Sequence, residues 1–431
     1  MGLVNGAVKQ YCMAALYQNL NSALALAQRV HTKYPSVCST FAAVNDAMRA
    51  HIHDIAERRD RGLPVIPDVS FNAIRRNGFN AQQRAHIQQH GCVIVRGVEQ
   101  ADQVAEWNAQ LLDYLAVNRY YDTLAQDIAA GHPGRIKHPN MLDVYWSQPQ
   151  IAARQSSRVC QLQTHLNRLW NCTNSGAGAF NPSKLISYAD KVRVREPFDQ
   201  SNGLIAHVDS CSLESWFDLS AIEACYQPLL NGQWQQFNAF NAAGRVFTNA
   251  KPHSEANSVF RTFQGWMALT EQGANCGTLQ LVPSSHCVSW LFLHTLNQLI
   301  NHDSEMYPVP GEAFCLTKSE HQLLFDGLCS LPTLAPGDSV WWHPDVVHAV
   351  EFANNSAVQS SVMFLGVAPD CARNRRYTAE QQVAFERGHS PPDFEPVHAE
   401  QHYQGRAQQR HLTETGRALM GITTSERAEV C

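Results

Sequence analysis

The feature that most constrains the fold is a series of short strand-like segments in the second half of the chain. Val, Ile, Thr and aromatic residues are frequent in these segments, and Pro, Gly and Asn separate them. Because most neighbouring segments have no helix-length pattern between them, they favour an antiparallel sandwich or jelly roll over a parallel sheet. The segments are 185–195 (LISYADKVRVR), 203–209 (GLIAHVD), 258–269 (SVFRTFQGWMAL), 277–283 (GTLQLVP), 339–343 (SVWWH) and 360–369 (SSVMFLGVAP).

Helical patterns surround this β-rich part. Residues 1–62 are predicted to form a helical region, 63–370 a domain with helical insertions at about 213–256 and 288–330, and 371–431 a tail of helix and loop. Asn80 and Gly91 have the residue types that begin and end a short helix. A longer helix is predicted from Pro149 to about Trp170.

Composition excludes several classes of protein. A net charge of -5 without a basic stripe argues against nucleic-acid binding. No apolar run approaches the roughly 20 residues that cross a bilayer. Thirteen cysteines occur without a C-x-x-C pair, and the first 20 residues lack a basic start followed by an apolar block. We therefore expect a reduced cytoplasmic protein that is not bound to a membrane.

A His-x-Asp triplet at the end of one segment raises the question of a metal site. With 20 histidines and 38 acidic residues in 431, about two His-x-Asp/Glu triplets are expected by chance, and four occur. Context must therefore choose among them. A 2-His-1-carboxylate site needs a pair of ligands close in sequence at a strand, and a second histidine from a distant strand. Strand alternation turns the skipped residue away and leaves the pair on one side.

The triplet His207/Asp209 meets this requirement best, because it closes the strand segment GLIAHVD. The distant ligand is predicted to be His348, which follows the turn and strand of PGDSVWWHPDVVH. His343/Asp345 is a competitor because it also follows a strand, but little β structure remains downstream to supply its third ligand. The other two triplets, His253/Glu255 and His398/Glu400, lie in polar segments without a strand.

Two imidazoles and one carboxylate on one face of Fe(II) leave three coordination positions open. Such a centre binds a bidentate co-substrate together with O₂, whereas a closed structural zinc site has no vacancy. The sequence therefore predicts Fe(II) at the catalytic ligands His207, Asp209 and His348, with O₂ and a bidentate 2-oxo acid as the common co-substrates of such a centre.

The same residues carry a resemblance to a known family. HVD together with PGDSVWWHPDVVH resembles the Fe(II)/2-oxoglutarate-dependent dioxygenase superfamily, and NCGTLQLVPSSH (275–286) is similar to a strand motif of its phytanoyl-hydroxylase-like branch. GCVIVRGV, DVYWSQPQIAARQS and GRALMGI are similar to the YbiU-like family within it, over about residues 65–422. The resemblance implies a mostly β core with helices, folded as a double-stranded β-helix of the jelly-roll, cupin-like type.

One departure from the superfamily concerns the far carboxylate of 2-oxoglutarate. The superfamily places an arginine on the strand after the distal histidine, whereas VQSSVMFLGV has no cation there. Arg261 is the first candidate to replace it and Arg373 the second. Residues 191, 193 and 195, which are Lys, Arg and Arg, are expected to form a solvated face, with the alternative that one of them reaches the mouth of the site. Strand alternation counted from Arg261 puts Phe263, Gly265 and Met267 on its face. Gln264 and Trp266 have the opposite alternation and are expected to pack between the sheet and outer helices.

The leading functional hypothesis is a non-heme iron oxygenase that acts on a small metabolite. Fungal enzymes similar to this family oxidise valine-type amino acids in secondary metabolism, including ring closure to an aziridine. The resemblance therefore implies an amino acid as substrate, with hydroxylation or oxidative cyclisation as the outcome. Two alternatives stay open: a protein-directed hydroxylase, and a non-catalytic cupin-like protein that binds a metal.

Overall fold

The computed structural model of the protein describes residues 24–131, 140–172, 180–201, 203–212, 219–242, 245, 259–301, 313–366, 368–394, 396 and 399–422. Residues 24–33 are helical and form α1. The further α-helices of this part of the chain are α2 (Val37–Asp60), α3 (Phe71–Ile74), α4 (Ala81–His90), α5 (Ala101–Val117), α6 (Tyr120–Ala129), α7 (Gln148–Arg154), α8 (Ser157–Asn167), α9 (Leu219–Leu230), α10 (Cys287–Asn301), α11 (Lys318–Asp326), α12 (Ala372–Arg387) and α13 (Glu414–Leu419).

The strands are short and concentrate in the second half of the chain. They are β1 (Asp68–Ser70), β2 (Cys92–Arg96), β3 (Met141–Leu142), β4 (Asn181–Ile186), β5 (Val192–Arg195), β6 (Leu204–Ser212), β7 (Gln264–Ala268), β8 (Leu279–Leu281), β9 (Ala313–Cys315), β10 (Cys329–Ser330), β11 (Ser339–Trp342), β12 (His348–Val350), β13 (Ser360–Phe364) and β14 (Ala368–Asp370).

Two larger sheets carry most of these strands. One has the order β1-β2-β11-β7-β13-β5-β3, and the other has the order β10-β8-β12-β6-β9. β4 and β14 form a separate pair. All described pairings within the two larger sheets are antiparallel except that of β1 with β2. The fold thus combines helices with several β-sheets.

Alternation along the central strands divides the apolar core into two layers. Trp266, Val340 and Val362 of the seven-stranded sheet pack with Leu279 and Leu281 of the five-stranded sheet, so these two sheets face each other. Side chains on the opposite face of the same strands, which alternate along the sequence with those just named, join a larger core that includes α2, α5, α8 and α10. The site therefore lies between two sheets that helices support from outside.

Local signals explain where several helices begin and end. Asn80 and Gln83 form a reciprocal capping box at the start of α4, and Gly91 ends it with φ 67°. The single helix predicted over 149–170 is wrong, because the chain breaks into α7 and α8. Ser156 causes the break: it leaves helical geometry with ψ 132°, and its side chain accepts hydrogen bonds from the amides of Arg158 and Val159.

Two further observations concern the cysteines and the helices. Each of the cysteines for which the structure gives a state is a free thiol. Over the ranges of the chain that are described, none of the helices is both long and apolar enough to span a lipid bilayer.

Candidate metal centre

Two adjacent strands of the five-stranded sheet bring the proposed ligands together. β6 and β12 pair antiparallel, and His207 lies opposite His348 in their register. Asp209 follows two residues later on β6, so strand alternation directs it to the same side as His207. His207 and His348 are 7% and 3% exposed. The distant histidine therefore reaches its partners because its strand is their direct neighbour.

The ligand atoms of the three side chains converge. Nε2 of His207 lies 3.4 Å from Oδ1 of Asp209, and Nε2 of His348 lies 3.3 Å from Oδ2. The two imidazole rings have centroids 4.1 Å apart and planes tilted by 48°. One ligand atom from each residue lies within 4.8 Å of the other two. This spacing suits a single ion bound by all three.

Backbone carbonyls orient both imidazoles. Nδ1 of His207 lies 2.8 Å from the carbonyl oxygen of Ile205, and Nδ1 of His348 lies 3.1 Å from that of Val346. Since a carbonyl only accepts, each Nδ1 carries the proton and donates it. Each Nε2 therefore presents a lone pair to the cluster, which is the tautomer that a metal requires.

The carboxylate of Asp209 stays ionised in this setting. Burial raises the pKa of its carboxyl group. At the low pH where this group would take up a proton, His207 and His348 are protonated, and their positive charge and the hydrogen bonds to Asp209 lower its pKa well below the ordinary range. One of these bonds comes from Nε2 of Gln264, 2.5 Å from Oδ2. Gln264 belongs to β7, so the opposite sheet helps to position the acidic ligand.

The donor set fits the expected iron. Two neutral imidazole nitrogens and one carboxylate suit Fe(II) and related divalent metals, and three protein ligands leave the remaining positions open. All three side chains line a cavity of about 190 Å³ between the two sheets. Small molecules therefore have room beside the open positions.

Most of the cavity wall is apolar, with a few buried charges. The apolar side chains that line it are Met141, Leu204, Trp266, Leu279, Trp342, Val350, Phe364 and Phe394. The charged ones, apart from Asp209, are Asp190, Arg193, Arg195 and Arg261. This cavity therefore offers groups of both signs to a bound molecule.

The prediction of a solvated face at residues 191, 193 and 195 is wrong. Arg193 and Arg195 are 3% and 1% exposed, and Lys191 pairs with Asp143 across 2.5 Å. The physical reason is that β5 lies between β13 and β3 in the seven-stranded sheet and that all four of its residues are buried. Arginines at a buried strand must meet partners or a ligand, because an isolated buried charge is costly.

Arg195 has protein partners for its guanidinium. Nε lies 2.9 Å from Oδ2 of Asp199, and the two Nη atoms donate to the carbonyl oxygens of Glu351, Ser201 and Phe352 at 2.6 to 2.8 Å. These contacts tie the end of β5 to the segment after β12. Arg195 therefore has a structural role even though it borders the cavity.

Arg261 lines the cavity, as its predicted role requires. Its guanidinium lies over the ring of Tyr188 at 4.4 Å and 3.9 Å from Oδ2 of Asp393. Burial lowers the pKa of this group, but Tyr188 and the carboxylates of Asp190, Asp393 and Asp209 raise it above the ordinary value. Arg373 is part of α12 and is not among the described residues that line the cavity.

The competing pair, His343 and Asp345, is fully buried in the protein core. Asp345 forms two short contacts with the guanidinium of Arg245, at 2.8 and 2.6 Å. His343 stacks on Trp170 at 4.8 Å, and its Nε2 lies 3.1 Å from the carbonyl oxygen of Ala239. No third metal-binding side chain joins this pair among the described residues. His253, Glu255 and His398 lie outside the described residues.

Alternation on β7 is opposite to the prediction. Trp266 and Gln264 line the cavity, whereas Phe263 and Met267 join the core beneath the helices. The expectation that Gln264 and Trp266 pack against outer helices is therefore wrong. The inference started from Arg261, but β7 begins only at Gln264, so the pleat does not extend back to residue 261. Sequence reasoning missed Gln264, a polar residue in an otherwise apolar strand, which was the available signal. Arg193 and Arg195 line the cavity, in line with the alternative that one of these basic residues reaches the site.

Comparisons with known proteins agree with this architecture. A family model described as Gig2-like matches residues 18–422. The protein YbiU of Escherichia coli (strain K12) is 33% identical over 388 residues, which cover 89% of this chain and 91% of YbiU. The predicted resemblance to the YbiU-like family is confirmed by this match.

Solved structures show the same fold. The crystal structure of the protein JW0805 from Escherichia coli has a TM-score of 0.82 and 31% identity, over 93% of this chain and 96% of JW0805. That of GlcNAc Inducible Gene 2 from Candida albicans has a TM-score of 0.76 and 22% identity, over 94% and 90% of the two chains. The second likeness concerns the fold alone.

Proposed function

This chain belongs to the Gig2-like family, and we propose that it is an Fe(II)- and 2-oxoglutarate-dependent oxygenase that oxidises a C–H bond of a small metabolite. The observation that carries the proposal is the cluster of His207, Asp209 and His348, with both Nε2 atoms and the carboxylate directed at one point. Fe(II) bound there supplies oxidation by O₂, coupled to conversion of 2-oxoglutarate to succinate and CO₂.

The protein's own groups have distinct tasks in this proposal. His207 and His348 bind the metal through Nε2 because their Nδ1 atoms are held by carbonyl oxygens. Asp209 supplies the anionic ligand, and Gln264 keeps its carboxylate in place. Trp266 and Trp342 cover the sides of the cavity with buried rings, which limits the entry of water.

The strand order supports a double-stranded β-helix of the jelly-roll, cupin-like type. Along the chain, β5, β7, β11 and β13 belong to one sheet, and β6, β8, β10 and β12 belong to the other. The chain thus crosses between facing antiparallel sheets from β5 to β8 and again from β10 to β13. Such alternation is typical of jelly rolls, and it places β6 and β12 side by side at the metal ligands.

An amino acid is the proposed substrate class. Asp190 and Arg261 line the same cavity with opposite charges, which suits the ammonium and carboxylate groups of a zwitterion. A volume of about 190 Å³ admits a small molecule. Hydroxylation and oxidative cyclisation are the two proposed outcomes. Arg261 and Arg373 are the sequence-based candidates for binding 2-oxoglutarate.

A turnover assay tests the proposal. Purified protein with Fe(II), ascorbate, O₂ and 2-oxoglutarate should form succinate and CO₂, and a panel of amino acids should stimulate the reaction. His348→Ala should abolish metal binding and turnover together. If the wild-type protein binds Fe(II) but neither binds nor consumes 2-oxoglutarate, the alternative of a non-catalytic cupin-like protein is correct.

A further inference from the structure

Arg193 is a buried cation whose side chain reaches the metal-site cavity. It lies on β5, is 3% exposed, and lines the cavity together with His207 and His348. Its cross-strand partners are Met141 on β3 and Val362 on β13. Residues directly opposite one another in a sheet share a face, and Val362 belongs to the core between the two sheets. Arg193 therefore points into the space between the sheets.

Among the described residues, the guanidinium of Arg193 lacks the hydrogen-bond partners that a buried charge requires. Its Nε and Nη2 atoms are buried without a hydrogen-bond acceptor among the described residues. Burial and the nearby Arg195 lower the pKa of Arg193 to about 9, while Glu351 opposes this shift. The group is still cationic at neutral pH. Its neighbour Arg195 shows the contrast, since carbonyls and Asp199 occupy its donors.

A second unused donor borders the same cavity. Nε1 of Trp342 is buried without an acceptor among the residues described, and its ring lies 5.3 Å from that of His348. Buried donors nearly always have an acceptor in the protein, in water or in a ligand. The guanidinium of Arg193 and the indole N–H of Trp342 both lack an acceptor among the described residues. This indicates that the cavity takes up an anion beside the metal ligands.

The strand register places Arg193 of β5 on the same face of the sheet as residue 362 of β13. The strand that follows the distal histidine carries Ser360, Ser361 and Val362, none of them basic. Arg193 lies opposite Val362, so an arginine on β5 occupies the same face as one at position 362 would. The positive charge missing from β13 is thus present on the adjacent strand.

We propose that Arg193, in place of Arg261 or Arg373, binds the distal carboxylate of the 2-oxo acid co-substrate. This inference rests on the proposed function, because it assumes that the other end of the 2-oxo acid binds the metal. Arg261 is less suited to this task, since Asp190, Asp209 and Asp393 already surround it with negative charge. A zwitterion at Arg261 brings an ammonium group that offsets these carboxylates, whereas the distal carboxylate of a 2-oxo acid brings no cation of its own. Among the described residues, Arg193 forms no ion pair or hydrogen bond with a carboxylate.

Calorimetry with Mn(II) in place of iron measures binding without turnover. 2-Oxoglutarate is compared with 2-oxobutanoate, which keeps the metal-binding end and lacks the distal carboxylate. Wild-type protein should prefer 2-oxoglutarate, and Arg193→Met should weaken its binding about 10- to 100-fold. Binding of 2-oxobutanoate should stay within about two-fold of wild type, a selectivity that general structural damage would not produce. Arg261→Met and Arg373→Met are the matched controls and should retain the preference.

A melting experiment guards against misfolding as an explanation. Because no carboxylate of the described residues pairs with the buried Arg193, Arg193→Met should melt at or above the wild-type temperature when no 2-oxo acid is present. The stabilisation that 2-oxoglutarate gives the Mn(II)-loaded wild type should disappear in the variant. A variant that melts well below wild type without ligand would contradict the view that this cation is unpaired.

Moving the arginine across the sheet gives a rescue test. In the double variant Arg193→Val with Val362→Arg, the cation returns to β13 on the same face, and binding of 2-oxoglutarate should recover at least in part. The proposal is overturned if Arg193→Met binds 2-oxoglutarate as tightly as wild type, or if Arg261→Met shows the selective loss instead. Wild-type protein that binds Mn(II) but does not bind 2-oxoglutarate would overturn the proposed function itself.

Discussion

Asp209 and Gln264 join the two facing sheets at the metal centre: Nε2 of Gln264 lies 2.5 Å from Oδ2 of Asp209. Asp209 follows His207 on β6, whereas Gln264 begins β7 in the other sheet. The acidic ligand is thus held from the side opposite to its own strand. Outer partners of this kind fix the direction of a ligand and tune its affinity for a metal.

Gln264→Leu should weaken metal binding while the fold is retained. Loss of the amide donor frees the carboxylate of Asp209 to rotate, and outer-partner variants of this type typically lose about 10- to 100-fold in metal affinity. Titration with Co(II), followed by absorbance, measures the change. Gln280→Leu is the control, because Gln280 pairs with Ser330 and not with the centre. Equal metal affinity in both variants would mean that Gln264 does not position Asp209.

His343→Ala should spare the metal and destabilise the fold. His343 is completely buried and stacks on Trp170, so its removal leaves a cavity that costs about 2–4 kcal/mol. Urea unfolding measures the loss, and Co(II) titration should give wild-type affinity. His207→Ala should give the reverse result, with metal binding lost. Loss of metal binding in a folded His343→Ala protein would show that the wrong His-x-Asp pair was chosen.

The sequence was sufficient to predict that His207, Asp209 and His348 cluster, because most of their spacing follows from local geometry. His207 and Asp209 are two residues apart on one strand, so alternation alone places them on one side. His348 required a further step, since only the pairing of β6 with β12 brings it opposite His207. A strand, a turn and a second histidine in the sequence pointed to that pairing.

Strand neighbours and strand limits account for what the sequence did not show. In the sequence, Arg193 resembles part of an alternating basic strand at the surface. In the structure, β3 and β13 pair with both edges of β5, and Arg193 is buried. Gln264 was placed on the wrong face because the inference carried the pleat back to Arg261, three residues before β7 begins. Alternation is reliable within a strand, but the residue at which a strand starts depends on tertiary contacts.

Gly265→Ala should destabilise the protein through Trp341. A Cβ at position 265 would lie 2.1 Å from a ring carbon of Trp341, which is buried on the helix side of the sheet. The ring must move in a filled core, which costs about 1–3 kcal/mol. Urea unfolding measures the change. Gly273→Ala is the control, because its new Cβ would meet Thr333 at 3.6 Å, an ordinary contact. Equal stability of the two variants would contradict the assigned face of β7.

Glu400 should make stability depend on pH near neutrality. Its buried carboxyl group accepts hydrogen bonds from the hydroxyl of Tyr114 at 2.8 Å and from the amides of Tyr145 and Trp146 at 2.7 and 3.0 Å. Burial raises its pKa from 4.5 to about 7, although these hydrogen bonds oppose the shift. Between these two values the folded protein holds a proton that the unfolded chain releases.

The sign follows from this difference in bound protons. The contribution of protonated Glu400 to the free energy of unfolding is complete below about pH 4.5 and is lost as the pH rises to about 7. Over this range the free energy of unfolding falls by at most about 1.4 kcal/mol per pH unit. Glu400→Gln cannot titrate, and comparing it with wild type removes the contribution of other carboxyl groups. Urea unfolding from about pH 5 to 8 should therefore show wild-type stability falling relative to the variant as the pH rises. A difference between the two proteins that stays constant over this range would mean that Glu400 is ionised in the folded state throughout.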